Sequence, residues 1–124
     1  MKIETLTERG ALVVVVTGRL DAVTAPAYVE RLREELAGGA RRLVMDCSGL
    51  EYVSSAGLRA ILLVSKDLTR IGGTEVYCGL QQQAMEIFKM SGFASIIQIH
   101  DTRDAALQSL SQAPPDFSQK QETG

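Results

Sequence analysis

Apolar residues fall along the chain in short blocks whose spacing switches between two periods. Residues 2–8 alternate weakly, Ile3, Thr5 and Thr7 against Glu4, Leu6 and Glu8. Arg9-Gly10 reads as a turn, and Ala11-Leu12-Val13-Val14-Val15-Val16 as a dense β-branched run. Such a run predicts a buried strand, and its closeness to the first segment predicts a hairpin. Gly18 and Asp21 end it. The period then becomes helical: Ala25, Val29, Leu32 and Leu36 recur while Glu30, Arg31, Arg33, Glu34 and Glu35 fall between them. Thr24 stands where an N-cap is expected, and Pro26 falls in the first turn, where its missing N–H costs nothing. Gly38-Gly39 closes the helix, since glycine takes the left-handed conformation at a helix end without strain.

The alternation continues. Leu43-Val44-Met45 predicts a strand ending at Asp46, followed by a polar turn at Ser48-Gly49. Leu58, Ile61, Leu62, Ser65 and Leu68 form a second helical stripe from Ser54/Ser55 to Gly72-Gly73. Glu75–Cys78 predicts a strand, and Ala84, Ile87 and Phe88, with Leu80 nearby, a short helix stopped by Gly92. Ile96–Ile99 predicts a last strand, and Asp101 a cap for a final helix carrying Ala105, Ala106, Leu107 and Leu110. The order is ββαβαβαβα. Strands separated by helices imply parallel, right-handed crossovers, so the expected class is α/β, a mixed sheet with an initial antiparallel hairpin. Residues 1–112 are expected to form a single domain. Residues 113–124 lose the periodicity and carry Pro114-Pro115, which predicts a flexible polar tail with Phe117 as its one candidate for docking.

Composition narrows the chemistry. The chain has 124 residues and a formal net charge of −2. Affinity for nucleic acid comes largely from clustered Lys and Arg, and Arg41-Arg42 is the one basic pair, so no nucleic acid is expected as partner. No stretch approaches the ~18 to 20 apolar residues that span a bilayer, and Glu4 stands where a signal peptide would carry its apolar core. The expectation is a cytoplasmic protein that does not engage a membrane. There is one histidine, His100, and there are two cysteines, Cys47 and Cys78, in apolar strand-like segments. A zinc site needs three or four ligands at workable spacing. No metal and no cofactor are expected, and both cysteines read as small buried hydrophobes of a reducing compartment. His100, beside Asp101, has no positioned nucleophile, so no catalytic residue is expected.

The informative stretch is Asp46-Cys47-Ser48-Gly49-Leu50-Glu51-Tyr52-Val53-Ser54-Ser55-Ala56-Gly57-Leu58. It leads from a buried strand to two serines at a helix start, where free N–H groups and the helix dipole favour negative charge. A serine there caps the helix or accepts a phosphate; the residues alone leave both roles open.

This segment resembles the signature of the STAS domain family, specifically its bacterial anti-sigma factor antagonists. The resemblance lies in Asp46 at the strand end, Ser48-Gly49-Leu50, the pair Tyr52-Val53, Ser55 at the helix start and Gly57-Leu58 after it. Gly18-Arg19-Leu20-Asp21 resembles the family's Gly-x-Leu/Ile-Asp after its second strand, and the family's element order covers about residues 1–110. The resemblance implies a small mixed sheet with helices on one side. It also implies partner switching. The unphosphorylated antagonist binds an anti-sigma factor, a GHKL-type serine kinase, and frees the sigma factor. Phosphorylation of the antagonist dissolves the complex, and a PP2C-type phosphatase restores it.

By this resemblance Ser55 is the acceptor, with Ser54 as runner-up, and Asp21, Ser54, Ser55, Ala56 and Gly57 form the partner-binding face. Asp46, Ser48 and Gly49 take structural roles. The chain departs from the usual pattern at Ser54, where the family often has Asp, and at Ala56, where it often has Ser or Thr. Asp21 has two open roles, contacting the kinase or capping a turn, and Arg59 reads as a surface cation near the helix start. A monomer or weak dimer is expected. The alternative is a STAS module that does not switch but binds a small ligand, lipid or nucleotide, or scaffolds a regulatory complex. An enzyme is not expected, since no nucleophile–base pair or glycine-rich phosphate loop is visible.

Overall fold

The computed structural model describes residues 1–112, and the expected tail with Phe117 lies outside them. The elements are β1 (Lys2–Glu8), β2 (Ala11–Leu20), α1 (Ala25–Ala37), β3 (Arg42–Val53), α2 (Ser55–Arg70), β4 (Thr74–Cys78), α3 (Gln82–Met90), a 3-10 turn (Phe93–Ser95), β5 (Gln98–His100) and α4 (Arg103–Gln112). The order is ββαβαβαβα, as the periodicity predicts. The five strands lie in the sheet in sequence order, β1-β2-β3-β4-β5. β1 and β2 are antiparallel from Lys2↔Thr17 to Glu8↔Ala11, and the remaining pairings are parallel. Arg9 and Gly10 both have positive φ, 51° and 78°, the backbone that lets a two-residue hairpin follow the strand twist.

Right-handed crossovers that always advance in one direction place every connecting helix on the same face of the sheet. α1, α2 and α3 obey this. Tyr28, Leu32 and Leu36 of α1, Ile61, Val64 and Leu68 of α2, and Ala84 and Phe88 of α3 share one core with Val14, Val16, Leu43, Met45 and Tyr77. Tyr77, Phe88 and Phe93 meet there edge to face, with centroids 5.1–5.7 Å apart, which adds to their area burial.

α4 departs from the one-sided arrangement. No strand follows it, so crossover handedness does not constrain it. Its Ala106, Leu107 and Leu110 cover the opposite face, over Ala11, Val13, Val44, Val76 and Cys78. Val13 and Val14 are both fully buried; a strand covered on both faces reads as an unbroken apolar run.

Three local expectations also change. The Asp46 strand does not stop at a Ser48-Gly49 turn; β3 runs on to Val53. Against β2, Val15↔Asp46 is followed by Thr17↔Gly49, and Gly18↔Leu50 by Arg19↔Tyr52, so β3 carries an extra residue twice. The polar and glycine residues that suggest a turn make bulges instead. Ile96–Ile99 does not form the last strand: Ile96 follows the 3-10 turn and is 76 % exposed, and β5 is only Gln98–His100. Thr102, not Asp101, caps α4: its Oγ1 accepts from the Ala105 amide at 3.1 Å.

Candidate functional site

The two serines sit where β3 turns into α2, beside the end of β2. The Ser54 amide donates to the Leu20 carbonyl at 3.0 Å. The Ser54 backbone is extended, and its Oγ accepts from the Gly57 amide at 3.1 Å. Ser54 is therefore the N-cap of α2. Ser55 is the first helical residue; it is exposed, and its hydroxyl has no hydrogen-bond partner among the described residues. One hydroxyl is engaged in a cap, and its neighbour faces solvent at the positive end of a helix dipole.

Gly57 sets how closely this helix start approaches the sheet. A Cβ added there would lie 2.2 Å from the Leu20 carbonyl oxygen and 2.8 Å from its carbon. Any other residue would lift the first turn of α2 off β2.

Asp21 follows Leu20 directly. Its Oδ1 accepts from the amides of Val23 and Thr24 at 3.0 and 3.2 Å, and its carbonyl accepts from Ala25 N at 2.8 Å. Asp21 thus closes the turn into α1. Thr24 is not the side-chain cap; its Oγ1 donates to the Arg19 carbonyl at 2.9 Å. The Thr24 amide bond lowers the Asp21 carboxyl pKa against the opposing effect of desolvation, helped by the Val23 amide and by Arg19. Arg19 reaches Asp21 at 3.8 Å and lies over the Tyr52 ring, 4.3 Å from its centroid. That contact joins the end of β2 to the residues leading into Ser54 and Ser55.

An apolar groove of about 300 Å³ runs beside these residues, with Ala25, Pro26 and Val29 of α1 on one wall and Ala56, Ala60 and Leu63 of α2 on the other. Arg59 stands at its rim, and Val23 nearby is 85 % exposed. Asp21, Ser54, Ser55, Ala56 and Gly57 are thus gathered at one end of the sheet, and Ala56 among them lines the groove.

Asp46, Ser48 and Gly49 lie elsewhere, at the first bulge of β3. Asp46 is 6 % exposed. Its Oδ1 accepts from the Ser48 amide and hydroxyl at 3.1 and 2.8 Å, and its Oδ2 from Arg103 of α4 at 2.9 Å. Burial alone would raise its carboxyl, but the Ser48 bonds and the Arg103 guanidinium outweigh it and hold the pKa below the usual carboxylate value. Cys47 and Cys78 are free and buried. Burial pushes the Cys78 thiol up to about 11 and the Cys47 thiol further, so neither is a reactive thiolate. His100 lies by Gln98, with ring nitrogen and carboxamide oxygen 3.1 Å apart.

The sequence reading passes over the glutamines that open α3. Beyond Asp46↔Cys78, β3 has no strand on its β4 side. Gly79, at φ +71°, turns the chain away, with the Ser48 backbone 3.1 Å from where a Cβ would sit. Gln81 Nε2 then donates to the Ser48 carbonyl at 2.8 Å. Gln83 accepts from the Val53 amide and donates to the Val53 carbonyl, both at 2.9 Å. The available signal was a helix beginning Gln81-Gln82-Gln83 with no Ser, Thr, Asp or Asn to cap it.

Among the described residues no helix is long and apolar enough to cross a membrane, and no group of three His, Cys, Asp or Glu side chains could hold a metal ion.

Comparison with known proteins places this geometry. The model of the STAS domain matches residues 2–106. BtrV of Bordetella bronchiseptica, designated an anti-sigma factor antagonist, is 42 % identical over 100 residues, covering 77 % of this chain and 86 % of BtrV. The crystal structure of an anti-sigma factor antagonist from Mycobacterium paratuberculosis superposes with a TM-score of 0.81 at 24 % identity, over 90 % of this chain and 94 % of the other. The antagonist SpoIIAA in its unphosphorylated form superposes with a TM-score of 0.77 at 16 % identity, over 91 % and 99 % of the two chains. The phosphorylated form of the Bacillus protein gives 0.71 at 15 % identity, over 88 % and 99 %. A family model that matches nearly the whole described chain, together with a relative 42 % identical over 100 residues, identifies this protein as a member of the STAS domain family.

Proposed function

We propose that this protein is an anti-sigma factor antagonist that works by partner switching, with Ser55 as its phosphoryl acceptor. In its unphosphorylated form it binds an anti-sigma factor that is also a GHKL-type serine kinase, and the sigma factor is released. Phosphorylation of Ser55 ends that complex, and a PP2C-type phosphatase restores it. The single observation that carries this reading is the division of labour at the helix start: Ser54 is engaged as the cap, while Ser55 is exposed with a hydroxyl that has no partner among the described residues. The similarity to BtrV and to SpoIIAA supports it.

The physics of the switch follows from the position. A phosphoryl group brings about −1.5 to −2 charges and three acceptor oxygens. At the first residue of α2 the helix dipole accommodates that charge, so the fold is kept. The same dianion beside the α1–α2 groove must lose water when a partner covers it. An unpaired charge in an interface costs several kcal/mol, roughly a thousandfold in affinity.

The test is mass spectrometry after incubation with the cognate kinase and ATP. One phosphate is expected on Ser55 and none on Ser55→Ala; equal labelling of that variant would remove Ser55 as the site. Ser55→Glu is expected to weaken kinase binding while its far-ultraviolet circular dichroism matches wild type.

A further inference from the structure

The chain entering the serine pair is held from both edges of β3. In an extended strand the N–H and C=O of one residue point to the same edge, and those of the next residue to the other. Ser54 turns its amide to β2, onto the Leu20 carbonyl. Val53 turns both of its backbone groups to the opposite edge, where β4 has already left the sheet. Buried backbone groups need partners, and at this place a side chain supplies both. The Gln83 carboxamide carries an acceptor and a donor at the spacing of a peptide group, and it pairs with Val53 as a neighbouring strand would. The residue before α3, Gln81, stands in the cap position but gives its side chain to the Ser48 carbonyl of β3, and the helix has no side-chain cap. A break with local preference that is satisfied only by a distant contact is typical of functional positions.

We infer that Gln83 is a positioning residue for the phosphoryl acceptor: its amide pair with Val53 fixes the strand end from which Ser54 and Ser55 are presented. This rests on Ser55 being the acceptor. Without the pair, this strand end is held on the β2 side alone, through the Ser54 amide, and the kinase must order the helix start as it docks.

The test uses the full chain, the cognate kinase and two variants. Gln83→Met keeps the length of the side chain and removes both hydrogen bonds. It is expected to unfold at lower denaturant than wild type, because two buried Val53 backbone groups lose their partners, and to keep the wild-type circular dichroism under assay conditions. The KM for phosphorylation at Ser55 is expected to rise about tenfold, with kcat changed by less than about twofold. Gln83→Glu separates positioning from packing. Its ionised carboxylate accepts from the Val53 amide but repels the Val53 carbonyl, whereas the protonated acid both accepts and donates. In nuclear magnetic resonance spectra of this variant, the amide signals of Val53, Ser54 and Ser55 are expected to move back toward their wild-type positions as the introduced carboxyl protonates.

Three results would overturn the inference. Unchanged KM in Gln83→Met, with wild type still labelled on Ser55, refutes the positioning role and leaves the switch intact. Signals at Ser54 and Ser55 that ignore the titration in Gln83→Glu refute the mechanical link. Absence of label on Ser55 in the wild type removes the acceptor itself, and the positioning role with it.

Discussion

Ser54 and Ser55 are chemically identical, and their neighbours alone make them different. The amide of Gly57 occupies the first hydroxyl, and among the described residues nothing occupies the second. Gly57 is the residue on which this division depends most, because the Leu20 carbonyl leaves no room for a side chain. Gly57→Ala is expected to cost about 2 kcal/mol, within the range for overpacking a tight contact, as read by chemical denaturation. The same substitution is expected to reduce labelling of Ser55, because the first turn of α2 must move. Much of this was readable in the sequence: the motif marks Ser55, Gly57 and Asp21, and the helical period marks Leu32 and Leu36. The parts that escaped depend on contacts across the chain. Thr24 has the composition of a cap, but its hydroxyl is drawn to the Arg19 carbonyl and Asp21 takes over the turn. Gln83 lies 30 positions from the residue it serves, and a glutamine carries no local signature of such a role.

β3 does more than a strand of its composition suggests. Its sequence predicts an end at Asp46 because Ser48-Gly49 looks like a turn, and a two-residue window cannot tell a turn from a bulge. What decides is the partner: β2 stays alongside, and Asp46 uses its own carboxylate to hold the Ser48 amide and hydroxyl. Arg103 fastens the same carboxylate to α4. Since the folded pKa of Asp46 is depressed, its stabilisation is complete above the ordinary value of 3.8 and is lost as pH falls through the folded value. Asp46→Asn is expected to lower stability at pH 7 by about 2 kcal/mol, modest for a buried pair because the Arg103 side chain is 34 % exposed. Urea titrations at a series of pH values check this: the gap between variant and wild type should close toward acid, not toward base.

Two cores of unequal size lie on the two faces of one sheet. Among the described residues, α1, α2 and α3 cover one face and α4 alone covers the other. Crossover handedness dictates the first arrangement once the strand order is β1 to β5, and the sequence carried it only through the family resemblance. The second is written only in the doubly buried valines of β2, which record that both faces are covered without naming the cover. Cys47 belongs to the larger core and Cys78 to the smaller, so the two thiols report on the two faces separately. Leu107→Ala removes a side chain from the smaller core at a cost of about 2–5 kcal/mol. It is expected to accelerate thiol labelling of Cys78 well ahead of Cys47, because local openings expose the more weakly covered face first. Equal acceleration of both would mean that α4 and the sheet open as one unit. The spatial order of the strands, β1 to β5 in the order of the chain, has a consequence for how the protein is made. A ribosome releases the strands in the sequence in which the sheet accepts them. Each newly emerged strand finds its neighbour already in place, with one open edge waiting, and none has to be threaded between two strands that have already met. The growing sheet never holds a gap for a later segment to fill, so synthesis and assembly can advance together from the first hairpin to the last helix.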